Sequence, residues 1–126
     1  MATTWIDLVG YVRFRYEIFQ QTDRTLRFHL PTSEGRTQRV AVHHVPGESD
    51  GPGWILIESA VASADGVDLR RLLELAGESE IGGVVIADGV VLFRHAAALG
   101  DLSLAGFDKP FQLVAARADE LEHALT

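Results

Sequence analysis

Leu26, Phe28 and Leu30 alternate with Arg27 and His29, the period of a strand with one buried face. Val40 and Val42 continue that pattern beyond a three-residue connection, Ser33-Glu34-Gly35. A glycine in the left-handed position of such a connection predicts a bulged hairpin. In that register Phe28 faces Val40, Leu26 faces Val42 and Leu30 faces Gln38. A slip of one residue would set Phe28 against Arg39, so the apolar face selects the first pairing. Trp54-Ile55-Leu56-Ile57-Glu58-Ser59 predicts a further strand, apolar on both faces at its start. Such a strand sits centrally or beneath a second layer. Val84–Ile86 and Val90–Phe93 flank Asp88-Gly89, the pattern of a two-residue hairpin.

Helical spacing governs the rest. Asp68 is placed to cap a helix carrying Leu69, Leu72, Leu73 and Leu75 as far as Ala76, with Gly77 ending it. Phe107, Phe111, Val114, Ala118, Leu121 and Leu125 recur at alternating intervals of four and three. That is the apolar stripe of a closing helix, with Asp108 as its cap and Pro110 in its first turn. The first segment carries two patterns: Trp5, Leu8, Val9, Val12, Tyr16 and Phe19 follow helical spacing, and Val12, Phe14, Tyr16 and Ile18 follow strand spacing. A helix over 4–15, capped by Thr3 or Thr4, and a short strand over 16–20 reconcile them. Gln21–Arg24 reads as a turn, and the Pro- and Gly-rich stretch 46–53 as a mobile hairpin loop. The order α-β-β-β-β-α-β-β-α defines an α+β fold, an antiparallel sheet packed by helices, in one domain over 1–126.

Composition narrows the functional classes. The 126 residues are 47% hydrophobic and 23% charged, the balance of an ordinary globular protein. A net charge of −7 repels phosphate backbones and argues against nucleic acid as a partner. No apolar run approaches the ~18–20 residues that span a bilayer, and no membrane partner is expected. The opening residues lack the basic and apolar regions of a secretory signal. The absence of cysteine fits a reducing cytoplasm. Charge is also uneven. Residues 1–46 hold six arginines against four acids, and residues 47–126 hold five bases against fourteen acids. That asymmetry suits the orientation of two subunits or of a partner.

Four stretches, in order, resemble the YbjN-like family, whose fold is similar to that of type III secretion chaperones. Gly35-Arg36-Thr37-Gln38-Arg39-Val40-Ala41-Val42 resembles the family's hairpin entry, Gly-Arg-x-Gln-x-Val-x-Val. Trp54–Ser59 resembles its strand ending in serine. Leu72–Ala76 followed by Gly82-Gly83 resembles its short helix and glycine-led strand. Val114–Glu122 resembles its closing Val-Ala-x-x-Ala-Asp-x-x-Glu helix. The resemblance implies the fold, a tendency to pair and to bind protein segments, and no defined reaction. It makes Arg36, Gln38, Ser59, Asp119 and Glu122 candidates for structural polar contacts. Asp119 is expected to bond or ion-pair with a strand arginine such as Arg36.

The chemistry-bearing residues point away from catalysis. His43 and His44 are adjacent on a strand and face opposite ways, and His29 lies opposite Arg39, so no metal site is expected. There is neither a cysteine nor a Gly-x-Ser-x-Gly elbow, and no histidine is placed by sequence to activate Ser59. Gly82-Gly83 lacks the helix and lysine of a phosphate loop. The carboxylate pairs Glu74/Glu78 and Asp119/Glu122 fit solvated helix faces. Trp5, Trp54, Phe107 and Phe111 are either core or an aromatic patch that docks a partner, and they stand as the protein-binding candidates. The expectation is a cytoplasmic, non-enzymatic, chaperone-like protein without cofactor. It would form a homodimer and bind a protein or peptide segment. The rival is a ligand-binding or enzymatic domain with a pocket between the sheet and the closing helix.

Overall fold

The computed structural model describes residues 2–126. The chain is an α+β protein: helix α1 (Trp5–Arg13), strands β1 (Ile18–Gln21), β2 (Thr25–Pro31), β3 (Thr37–Val45) and β4 (Trp54–Ser63), helix α2 (Leu69–Ala76), strands β5 (Gly83–Ala87) and β6 (Val90–Ala98), and helix α3 (Leu104–Leu125). The six strands form one open antiparallel sheet in the order β1-β2-β3-β4-β6-β5. No helix among the described residues is long and apolar enough to cross a membrane.

Local chemistry sets the boundaries. Thr4 and Asp7 cap α1 reciprocally, each side chain accepting a hydrogen bond from the other's backbone N–H. Asp68 accepts from the Arg71 N–H at 3.1 Å to start α2, and Gly77 ends it. The β2–β3 register pairs Leu26 with Val42, Phe28 with Val40 and Leu30 with Gln38. Asp88 and Gly89 both have positive φ, 50° and 77°, as a primed two-residue turn demands.

Three elements depart from the sequence reading. The helical stretch at the start is shorter than 4–15, and its strand begins at Ile18 rather than residue 16. β4 runs on to Ser63, well past Ser59. The cap of α3 is Ser103, whose Oγ accepts from the Gly106 N–H at 2.9 Å, and Asp108 and Pro110 lie within the helix. Pro110 removes one bond to the carbonyl four residues back, and α3 continues through it. The 46–53 loop folds tightly on itself. A Cβ on Gly53 would lie 2.1 Å from the Val45 carbonyl oxygen, so only glycine fits.

All three helices contribute to one core on one face of the sheet. Leu26, Phe28, Val40, Val42, Ile55, Ile57, Val91 and Phe93 point toward Leu8, Val12, Leu72, Phe107, Phe111 and Val114. Phe28, Tyr16 and Phe107 all set their rings about 5–6 Å from a neighbour in an aromatic cluster around Phe111. The alternate residues of the same strands face away from the helices, on a side that none of the three helices covers; there the Phe19 ring of β1 lies against His29.

Candidate functional site

On the helix side polar groups are few, and the fully buried ones are each engaged. Arg36, at the entry of β3, donates from Nε to Asp119 Oδ1 at 3.1 Å and from Nη2 to Oδ2 at 2.8 Å. Asp119 on α3 is 2% exposed. The arginine's hydrogen bonds hold its carboxyl below the usual aspartate range, against the opposing effect of burial. Gln38 and Ser59 are also buried. Gln38 Nε2 donates to Ser59 Oγ at 3.0 Å and to the Ala60 carbonyl at 2.8 Å, and Ser59 Oγ donates to the Arg39 carbonyl.

Those two carbonyls explain the geometry. The β3–β4 ladder ends at Ala41–Glu58, with no partner pair joining Arg39 to Ala60 beyond it. β4 also carries an irregularity between Ala60 and Ala62 where it meets β6. The two strands splay, and the side chains of Gln38 and Ser59 take over the carbonyls that the ladder abandons. Glu122 remains an exposed residue of α3; its backbone carbonyl accepts from the Thr126 N–H at 3.1 Å.

The uncovered face carries a polar row across four strands. Thr25 of β2 meets His43 Nδ1 at 2.9 Å, His43 Nε2 meets Glu58 Oε1 at 2.7 Å, and Arg94 Nε donates to Glu58 Oε2 at 2.8 Å. A carboxylate only accepts, so Nε2 carries the proton toward Glu58 and a neutral ring accepts from Thr25 at Nδ1. These bonds, His43's foremost, hold the Glu58 carboxyl below its usual range. Leu56, Ala60, Leu92 and Ala96 share this face. So do Arg27, Arg39 and His29, with the Phe19 ring 4.3 Å from that of His29. The strand positions of this face thus hold three arginines against one glutamate.

The aromatic candidates separate. Phe107 and Phe111 are fully buried core residues and cannot dock a partner, because the α3 stripe turns them onto the sheet. Trp5 is half-buried, stacked on His44 with centroids 5.1 Å apart, and its indole donates to the Asp23 carbonyl at 2.9 Å. Trp54 is 52% exposed at the end of the uncovered face. Between α2, β6 and α3 lies an open cleft of about 380 Å³ with Leu75, Ser79, Phe93 and Leu121 in its lining. Its Arg117 is held by Glu80 at 2.9 Å and Glu120 at 3.2 Å.

Two clusters escaped the sequence reading. One is the Thr25–His43–Glu58–Arg94 row. The other joins α1 to α3: Tyr11 and Tyr16 donate to Asp108, and Arg15 lies 3.3 Å from it. The bond to Asp108 raises the Tyr11 hydroxyl above its usual range, and burial does so first for Tyr16. The i, i+4 spacing of Tyr11 and Arg15 was a visible signal for a shared partner, but not for which one. No protein-family model matches this chain, and no curated protein matches it.

Proposed function

We propose that this chain is a non-enzymatic, chaperone-like adaptor of the cytoplasm, of the kind its YbjN-like motifs suggest. It self-associates as a homodimer and holds a segment of another protein. The observation that carries this reading is the free edge of β5. Gly83–Ala87 has no charge, proline or bulge, whereas natural edges are usually blunted by such devices. The opposite edge, β1, is four residues long and interrupted by a bulge.

The edge is self-complementary. Ala87 and Val90 flank a two-residue turn, so Gly83, Val85 and Ala87 bond inward to β6. Val84 and Ile86 therefore turn their N–H and C=O groups outward. A two-fold axis at Val85 pairs Val84 with Ile86 of a second copy and uses all four groups. Registers centred one residue either way would draw in Gly82 or Asp88, whose φ values of 68° and 50° break the extended backbone. Beside this edge Leu69, Leu73 and Ile86 are 47%, 60% and 57% exposed, ready to be covered by the same association. Many of the titratable groups are paired with one another at separate places, Arg15 with Asp108, Arg36 with Asp119, His43 and Arg94 with Glu58, and Arg117 with Glu80 and Glu120, which favours a non-catalytic role.

Sedimentation equilibrium should give twice the 13.8 kDa chain mass. Val84→Pro deletes an outward N–H and no ladder bond, so it should yield a folded monomer. A monomeric parent, or a variant that stays dimeric, removes the edge from the reading. The cleft beside α2 favours a second reading, a small-ligand domain. A thermal upshift with an apolar ligand and no change in mass would carry that one instead.

A further inference from the structure

We infer that the uncovered sheet face holds a recognition site for carboxylate side chains of an acidic, extended polypeptide segment. Where β3 and β4 splay, a cleft of about 470 Å³ opens among Phe19, Arg27, Arg39, Ala41, Ala60 and Leu92. Arg27 pairs with Ala41 and Arg39 with His29, which makes the two arginines diagonal neighbours on one face. Both are exposed, and neither is in an ion pair among the described residues. Arg39 rests over the Phe19 ring, 5.5 Å from its centroid. Two like charges held side by side repel, and an anion between them relieves that repulsion.

The backbone adds to this preference. The ladder's parity turns both the carbonyls and the N–H groups of Arg39 and Ala60 into the gap. Gln38 and Ser59 occupy the two carbonyls. The cleft therefore presents donors: two guanidiniums, the N–H groups beneath them and the nearby Gln20 amide. Glu58 also lines the cleft, but His43 and Arg94 already engage both of its oxygens.

Charge and shape select the occupant. The face has a surplus of positive charge on a chain of net charge −7, so a long polyanion such as nucleic acid meets repulsion beyond the cleft, whereas a short acidic segment does not. Phe19, Ala41, Ala60 and Leu92 wall the donors with apolar surface, which suits the aliphatic stem of a glutamate better than a bare inorganic anion. The inference supplies the partner chemistry that the adaptor reading leaves open, and rests on that reading for its partner, not for the β5 contact.

The test is fluorescence anisotropy with a labelled peptide of alternating glutamate and valine, its lysine–valine counterpart, and inorganic phosphate as competitor. It is run on the parent chain and on Val84→Pro. Saturable binding of the acidic peptide alone is expected, weakened at least about tenfold by Arg27→Gln or Arg39→Gln, one lost charge-assisted contact each. Raised salt should weaken it too. Ala60→Tyr, which fills the cleft with both arginines in place, should also abolish it, and Arg71→Gln on α2 should leave it unchanged. The site is refuted by no binding, by equal loss in Arg71→Gln, or by full binding in Ala60→Tyr. Full displacement by phosphate at concentrations comparable to the peptide refutes the polypeptide occupant. Binding retained in a monomeric Val84→Pro separates this site from the edge contact.

Discussion

The two faces of this sheet are built from alternate residues of the same strands, yet their chemistry is opposite. Toward the helices, Phe28, Val40, Ile57 and Phe93 are sealed from water, and the polar exceptions Gln38, Ser59 and Asp119 are each bonded to a named partner. Away from the helices, Arg27, Arg39, Glu58 and Arg94 mix with Leu56, Ala60 and Leu92, and none of the three helices lies over them. A period of two writes two separate surfaces into one strand. The covered surface holds the fold together. The uncovered one is free to carry charge, and on an acidic chain it carries positive charge.

The largest expected contrast comes from truncating one apolar side chain on each side. Phe111→Ala empties the centre of the aromatic cluster and should destabilise by about 3–5 kcal/mol in urea unfolding. Leu56→Ala on the uncovered face should cost under about 1.5 kcal/mol, because water already reaches that residue. Similar losses would mean that the outer face is covered in solution, which sedimentation of the same samples would reveal. The next contrast removes an arginine from each side. Arg36→Ala leaves the Asp119 carboxylate buried with its main partner gone, at a cost of about 3 kcal/mol. Arg94→Ala should cost about 1 kcal/mol, since Glu58 keeps His43 and gains water. Asp119→Asn combined with Arg36→Ala should recover part of the first loss in a double-mutant cycle.

Much of the covered face was legible because local signals and global packing agree there. The apolar alternation of β2 and β3 fixed their register, and Asp68 with Gly77 bounded α2 to the residue. The start of α3 was misread because Asp108 followed by Pro110 imitates a helix entry, while Ser103 precedes a weak Leu-Ala-Gly turn. The uncovered face was harder to read. Glu58 meets Arg94 only because β4 lies beside β6 and not β5, a long-range choice that no local pattern encodes. Glu58 meets His43 on a diagonal, across a loop whose glycine geometry sets the register. The cleft depends on the splay beyond the Ala41–Glu58 pair, toward Arg39 and Ala60, and on the irregularity at Ala60–Ala62, neither marked by glycine or proline. Conversely, Arg36 and Asp119 came into view through the family resemblance of their flanking motifs, not through spacing.

The weakest effect concerns acid, and it involves a further polar residue on the covered side. His95 sits opposite Ile57 on β6, and burial alone holds its imidazole below the usual value of 6.5. The unfolded chain takes up that proton first as pH falls. Below about pH 6.5 the unfolded state therefore binds more protons than the folded one, and stability declines until the folded ring also protonates. The lowered carboxyls of Asp119 and Glu58 lose their contribution later, as pH drops through and below the ordinary carboxylate range. Unfolding midpoints followed from about pH 7.5 to about pH 3 should thus fall in two limbs. His95→Gln should flatten the upper limb alone, by less than about 1 kcal/mol for a ring that solvent partly screens. Arg36→Ala should flatten the lower one. An upper limb that survives in His95→Gln would mean that water reaches this ring freely, and the covered face would then be less closed than its apolar residues indicate.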